Sequence, residues 1–293
     1  MFYKKSMKSP IKMLEQGHFS PGLPDSRQIS YGSTVLERKP WEAEAVLALL
    51  MGLFLIFGMG GILASVLPRP ATMGASVPGN PGTASPVVAP PKPAFSSFVL
   101  GTLTFHGAIL FLVHRFVRMH HVRWADAFGW RRSGVSRALG AGVTAAGIAV
   151  PVAYGLQWLS VAALRHWGRR WGYEPSAQGS VELLLHAGSW AESAYIFVFA
   201  TLVAPVAEEL LFRGILFPFV RDLGKPRLAF WGSAILFGAI HGNLAAFIPL
   251  VCFGALLAAL YLRTGNLLAP IAAHALFNFV PFILLACGLK SVE

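Results

Sequence analysis

Charged residues are scarce in this sequence. Asp, Glu, Lys and Arg together make up 13% of its 293 residues, whereas hydrophobic residues make up 55% and the mean hydropathy is +0.59. An ordinary soluble domain has about a quarter of its residues charged. The shortage of charge argues against a soluble globular protein and predicts a membrane protein.

Cysteine is also rare, and a cleavable signal peptide is not apparent. Cys252 and Cys287 are the two cysteines and both fall in apolar runs, so the sequence indicates neither a disulfide framework nor a zinc finger. The first 40 residues are polar and basic, and the first apolar run begins only near Ala45. That run is too late and too long for a signal peptide, so we expect a retained membrane anchor.

The apolar runs are long and rich in Leu, Ala, Gly and Phe. They lack the period-two alternation of barrel strands and match helices of about 20 residues that cross a bilayer. The predicted fold class is therefore all-α, a polytopic transmembrane helical bundle, with a short fifth span. We predict seven spans, at about 45–67, 95–114, 138–164, 193–219, 228–242, 244–262 and 267–289.

The chain divides into three predicted regions. Residues 1–44 form a basic cytoplasmic N-terminal tail. Residues 45–137 contain two spans, a Pro-rich loop at 68–94 and a basic cytoplasmic loop, and residues 138–293 form the membrane core. The composition of the Pro-rich loop is typical of an extended, flexible segment.

The net charge of +11 is distributed unevenly. With the N-terminus inside, the segments predicted to be cytoplasmic carry 17 Lys and Arg residues and the outer segments carry 6. This excess predicts an integral protein of a bacterial-type plasma membrane with a cytoplasmic N-terminus. The loop 118–137 mixes Arg and Trp, which could suit RNA, but its position beside a span favours contact with anionic lipid. We expect the lipid bilayer as a partner and no nucleic acid.

The stretch "APVAEELLFRG" places three charges inside an apolar run. Each charge at the centre of a spanning helix costs about 2.5–3.5 kcal/mol on insertion scales, so the three need compensation or a function. Glu209 and Arg213 are spaced i, i+4 and can pair with each other. Glu208 has no such partner on its own helix, and we expect it to face a cavity or another helix.

Two further polar pairs interrupt later spans. "FGAIH" contains Phe237 and His241, and "HALFN" contains His274 and Asn278. At about 1.5 Å per residue from the nearest predicted cytoplasmic Arg, Glu208, His241, His274 and Asn278 all lie about 16–22 Å deep. Polar residues at one depth on three helices indicate a site.

These residue types suit hydrolysis by an activated water. Glu208, desolvated in an apolar enclosure, can act as a general base, and His241 can hold the water and shuttle its proton. His274 and Asn278 can donate hydrogen bonds to an oxyanion. We find no Ser, Cys or Asp at this depth that stands out as a nucleophile.

Other interpretations use the same residues. Each His or Asn could bond across helices only for packing. Glu208, His241 and His274 could instead bind zinc, although no HExxH motif is present and no metal is firmly predicted. A transporter or channel that relays protons, or a catalytically silent scaffold, is the alternative of a different class, but the sequence shows one polar cluster and no repeat.

The ordered motifs EExxxR, FxxxH and HxxxN resemble the CPBP family, the CAAX proteases and bacteriocin-processing enzymes. The resemblance covers about residues 190–289. It implies an intramembrane endopeptidase that acts on a membrane-associated or lipidated peptide or protein. It also implies that no cofactor is required, although the family is often labelled metalloprotease. The implied catalytic residues are Glu208, His241, His274 and Asn278, with Glu209, Arg213 and Phe237 in support.

Overall fold

The computed structural model describes residues 28–31, 34–66, 95–168, 183–184 and 187–287. The predicted Pro-rich loop at 68–94 lies almost entirely outside these residues, as do residues 1–27 of the tail. Two short strands pair in antiparallel fashion, β1 (Gln28–Tyr31) and β2 (Thr34–Glu37). The helices are α1 (Ala43–Val66), α2 (Phe95–Met119), α3 (Trp124–Ala127), α4 (Val135–Trp167), α5 (Trp190–Asp222), α6 (Pro226–Ile240), α7 (Leu244–Thr264) and α8 (Leu268–Ala286).

Each predicted span corresponds to one helix, which confirms the all-α membrane bundle. In the described part of the chain, α2, α4, α5, α7 and α8 are long and apolar enough to cross a membrane, and α1 and α6 contain shorter apolar helices. The short fifth span is α6, whose 15 residues reach about 22 Å against a hydrocarbon core of about 30 Å. Large apolar side chains on α1, among them Phe54 and Phe57, are exposed, as expected for side chains that face lipid.

Close packing of α4 against α8 depends on a small residue. A Cβ on Gly142 would lie 2.5 Å from the backbone oxygen of Ala269 and 2.8 Å from the Cβ of Ala272. Small residues allow membrane helices to approach closely, which compensates for the missing hydrophobic drive between helices in lipid.

Two widened π-helical segments lie in α5, at Phe199–Val203 and Leu210–Leu216, with α-helical Ala204–Glu209 between them. A π-helical turn is rare and is frequently found at a functional site. In the first segment the Ala204 N–H donates to the Phe199 carbonyl, so the next donor in this register would be residue 205. That residue is Pro205, which has no N–H, and the Ala200 carbonyl instead accepts a hydrogen bond of 2.9 Å from Asn278 Nδ2 on α8.

A second proline in α5 has the same effect one helical stretch later. Pro218 occupies the position whose N–H would donate to the Gly214 carbonyl in an α-helix. The indole Nε1 of Trp41 donates to that carbonyl at 3.2 Å. Two side chains from distant parts of the chain therefore replace backbone donors on either side of the Glu208–Arg213 turn.

The described end of the N-terminal tail packs on the bundle. Leu36 and Trp41 are buried, and the Trp41 ring lies edge-on to Phe116 with their centroids 5.0 Å apart. The Lys39 backbone N–H donates to Asp222 at 2.9 Å. Burial lowers the pKa of the Lys39 ammonium to about 8, with the nearby positive charge of Arg132 acting in the same direction.

Four segments predicted to be cytoplasmic meet at one end of the bundle. Glu37, before α1, forms an ion pair with Arg132, and its carbonyl accepts a hydrogen bond of 3.0 Å from Arg221 at the end of α5. Asn266, in the α7–α8 turn, donates to the Arg132 carbonyl at 2.8 Å. The fold thus brings together the segments whose basic residues produce the predicted charge asymmetry.

Candidate active site

The predicted pair of Glu209 and Arg213 forms the fully buried base of the site. Both side chains are 0% exposed, and Arg213 Nη1 donates to Glu209 Oε1 at 2.6 Å. Arg213 Nη2 donates to the Gly254 carbonyl at 2.9 Å, and its guanidinium carbon lies 4.8 Å from the centroid of the Phe237 ring. These contacts compensate the desolvation of both charges.

Glu208 is buried without a fixed cation of its own. The residue is 7% exposed, and its Oε2 has no hydrogen-bond partner among the described residues. Its Oε1 lies 3.4 Å from His106 Nε2, and its Oε2 lies 4.0 Å from His274 Nε2. The two adjacent acids therefore differ as the sequence predicts, since one is paired on its own helix and the other faces other helices.

His274, on α8, is oriented by the acid next to Glu208. Its Nδ1 lies 3.0 Å from Glu209 Oε1. A carboxylate only accepts hydrogen bonds, so Nδ1 carries the proton and neutral His274 presents an Nε2 lone pair towards Glu208. The ring stands edge-on to Phe237 and Phe253, with centroid distances of 5.4 and 5.6 Å.

His241 ends α6 and is held by the residue one turn before it. Its Nδ1 lies 2.7 Å from the Phe237 carbonyl, so this nitrogen also carries the proton and Nε2 is left as an acceptor. The Phe237 and His241 rings are 4.9 Å apart, and His241 is close enough to Glu208 to interact with its charge. The FxxxH spacing thus supplies both the carbonyl and the ring that position the imidazole.

Asn278 lies one turn after His274 on α8, but its amide already has a partner. Nδ2 donates to the Ala200 carbonyl that Pro205 leaves without a backbone donor. A carboxamide has two N–H donors, so one is committed to α5 and the second is available for another acceptor. In this conformation Asn278 fastens α8 to the π-helical turn that precedes Glu208.

His106, on α2, is the site residue that the sequence analysis does not include. Its Nε2 is the nearest imidazole nitrogen recorded beside Glu208, at 3.4 Å. The His106 ring packs edge-on against Phe105 and Phe199, with centroid distances of 5.0 and 4.9 Å. A histidine inside an apolar span was itself the signal, because ionisable groups in spans are costly and usually functional.

Comparison with protein families identifies the part of the chain that contains most of these residues. Residues 190–280 match the family described as type II CAAX prenyl endopeptidase Rce1-like. This segment is Rce1-like. It includes all seven residues of the EExxxR, FxxxH and HxxxN motifs, which confirms the resemblance drawn from them, and it excludes His106.

Two curated relatives from Bacillus subtilis (strain 168) match the chain in part. "Uncharacterized protein YpbD" is 32% identical over 87 residues, and "Putative membrane peptidase YdiL" is 32% identical over 85 residues. Each match covers 28% of this chain, but 42% of YpbD and 34% of YdiL, so the chain spans less than half the length of either relative. No solved structure matches the chain.

The charges of the Rce1-like site do not balance without an added proton. Glu209 and Arg213 neutralise each other, which leaves the negative charge of Glu208 in a buried position. A lone buried carboxylate is costly, and the cluster becomes neutral when one proton is bound by Glu208 or by an imidazole beside it. The surrounding imidazoles belong to His106, His241 and His274.

A zinc ion fits this arrangement poorly. A catalytic zinc needs three protein ligands with bonds of about 2.0–2.2 Å. Within the described residues, no group of three or more His, Cys, Asp or Glu is placed to hold a metal ion. His274 uses Nδ1 on Glu209, and its Nε2 is 4.0 Å from Glu208 Oε2. We therefore derive no step of the chemistry through a metal.

Proposed function

We propose that the protein is an intramembrane endopeptidase that hydrolyses a peptide bond with a water activated by Glu208 and His241. The substrate class is a membrane-associated or lipidated peptide or protein. The observation that supports this most is the contrast between the two acids: Glu209 is paired with Arg213, whereas Glu208 Oε2 is buried without a hydrogen-bond partner in the described structure. An unpartnered carboxylate oxygen in an apolar site is suited to accept a proton from water.

The reaction begins with a water that donates one proton towards Glu208 Oε2 and the other towards His241 Nε2. As the water oxygen attacks the carbonyl carbon of the scissile bond, Glu208 takes the first proton and an oxyanion forms. Collapse of the tetrahedral intermediate breaks the C–N bond, and the proton held by Glu208 passes to the leaving amine. Water is the only other reactant.

His274 and Asn278 stabilise the oxyanion in this proposal. His274 donates its Nδ1 proton to Glu209, so Nε2 can donate only when the ring is an imidazolium. That imidazolium is the added proton that balances the charge of Glu208, and Glu209 supports it from the other side. Asn278 contributes the N–H that Ala200 does not use.

The experiment that tests this function compares membranes carrying wild type, Glu208→Gln or Glu192→Gln. Glu192 lies in the first turn of the same helix and is exposed, which makes it a matched control. Quantitative proteomics should find membrane peptides whose cleavage disappears with Glu208→Gln and persists with Glu192→Gln. If no cleavage depends on Glu208, a transporter or silent scaffold becomes the better interpretation.

The same cleavage assay separates the metal-free and zinc mechanisms. Turnover should survive strong chelation if Glu208 and His241 activate water unaided. Loss of turnover that zinc restores would move the proposal to a zinc enzyme with Glu208, His241 and His274 as ligands.

We further propose that the N-terminus is cytoplasmic in a bacterial-type plasma membrane. The charge asymmetry of the loops supports this orientation. Reporter fusions placed after Arg69 and after Lys290 should both report the outer side. If both reported the inner side, the orientation would be reversed.

A further inference from the structure

His106 contacts Glu208 from a helix outside the Rce1-like segment. The side chains are 12% and 10% exposed, and His106 Nε2 lies 3.4 Å from Glu208 Oε1. The aromatic rings of Phe105 and Phe199 fix the plane of the imidazole. The contact is therefore a buried and ordered one.

The second nitrogen of His106 determines where the protons lie. Its Nδ1 is 3.3 Å from the Thr102 carbonyl, which can only accept, so Nδ1 carries a proton. Thr102 is itself anchored, because its hydroxyl lies 2.9 Å from the Tyr195 hydroxyl on α5. Neutral His106 would then turn an Nε2 lone pair towards a carboxylate, and two acceptors at this distance attract only when a proton lies between them.

Every imidazole around Glu208 has the same polarity. The Nδ1 atoms of His106, His241 and His274 all donate, to Thr102, Phe237 and Glu209 respectively. All three Nε2 atoms are consequently left as acceptors. Of the two with a recorded contact, His106 at 3.4 Å is closer to Glu208 than His274 at 4.0 Å.

We propose that His106 is a positioning residue that holds Oε1 of Glu208 through a shared proton and leaves Oε2 for the water. The inference rests on the proposed function and extends it to α2. During hydrolysis the shared proton stays between His106 and Oε1. The proton taken from water binds Oε2 and later passes to the leaving amine, so the two protons have separate places.

A test that needs no substrate is carbodiimide labelling, because carbodiimides modify protonated carboxyl groups. Membranes are treated with dicyclohexylcarbodiimide at several values between about pH 5 and 9, the range in which histidines titrate. Mass spectrometry measures modification of Glu208. The groups that face Glu208 and could affect its titration are His106 on α2, Glu209 and Arg213 on α5, His241 at the end of α6 and His274 on α8.

Three variants on α2 distinguish sharing of a proton from packing. His106→Phe keeps the aromatic shape, His106→Gln keeps a polar partner that does not titrate, and His114→Phe removes an exposed histidine two turns away. Both His106 variants should move the midpoint of the labelling curve by about one pH unit or more, which corresponds to loss of a specific interaction. His114→Phe should leave the midpoint in place. Unchanged curves in the His106 variants, or no labelling of Glu208 in wild type at any pH, would overturn the proposal.

Turnover of the peptide found by proteomics supplies the second measurement. His106→Phe should lower kcat by about 100-fold with little change in KM, as misplacement of a reacting group does, while His106→Gln should recover a large part of it. Equal loss in both variants at every pH, with a lowered Tm, would indicate a purely structural role. If Glu208→Gln itself stayed active, the proposed function would fail, and the labelling result would still stand or fall independently.

Discussion

Neutralising Glu209 should damage the fold, whereas neutralising Glu208 should damage only activity. Glu209→Gln removes the charge that faces Arg213 at 2.6 Å and leaves the guanidinium 0% exposed and uncompensated on its own helix. Breaking a buried ion pair by removing one partner costs about 3–5 kcal/mol. Total stabilities are about 5–15 kcal/mol, so this loss is a large part of the whole.

The loss converts to a measurable thermal shift. At roughly 2–4 °C per kcal/mol, the Tm of detergent-extracted Glu209→Gln should fall by about 6–20 °C, with less protein accumulating in membranes. Glu208→Gln should keep the wild-type Tm, because Glu208 Oε2 has no hydrogen bond in the described structure and no fixed cation depends on its charge.

A double-mutant cycle checks the physical reason. Arg213→Gln alone should destabilise by a similar amount, since it leaves Glu209 as the unpaired buried charge. The variant with both substitutions has no buried charge in this pair, so its cost should be well below the sum of the two single costs. Purely additive costs, or a Glu209→Gln protein that melts like wild type, would refute the argument from charge compensation.

Three other substitutions test the fold around the site. Trp41→Phe keeps the ring but removes the hydrogen bond to the Gly214 carbonyl, so stability should fall by about 1–3 kcal/mol, measured by thermal unfolding. Gly142→Ala should lower the Tm because its Cβ would meet a backbone oxygen of α8 at 2.5 Å, whereas Gly140→Ala, with open space around it, should not. Lys39 has a folded pKa of about 8, below the 10.5 of the free side chain, so the unfolded state binds more protons and stability should rise between these pH values. Lys39→Met should abolish that rise in unfolding measurements, and a wild type that loses stability over this range would contradict the sign.

The helices could be predicted because bilayer thickness sets the length of an apolar run. Every predicted span has its helix, and the polar residues within the runs led to the buried pair of Glu209 and Arg213. Spacing along one helix was sufficient for that pair, since i, i+4 neighbours meet whatever the rest of the chain does.

Contacts between helices could not be read from the same pattern. Pro205 and Pro218 indicate in the sequence which carbonyls lose a donor, but not which side chains replace it. The replacements come from Asn278 and Trp41, which are 78 and 173 residues away from the carbonyls they serve. A role for Asn278 in hydrogen bonding followed from its depth, but the identity of its partner required the packing of α8 against α5.

His106 escaped the depth argument through an error of one helical turn. The predicted second span ends at about residue 114, so Arg115 marks its edge and His106 lies about 14 Å deep, shallower than the other site residues. The helix continues to Met119, which makes Arg118 the better edge and places His106 about 18 Å deep, within the range of Glu208 and His274. Long basic side chains reach the interface from inside a span, so an Arg near a helix end locates the boundary only to within a turn. A residue within one turn of the site's depth is therefore a candidate, and the face of its helix decides the matter: for His106, the contact with Glu208 does so.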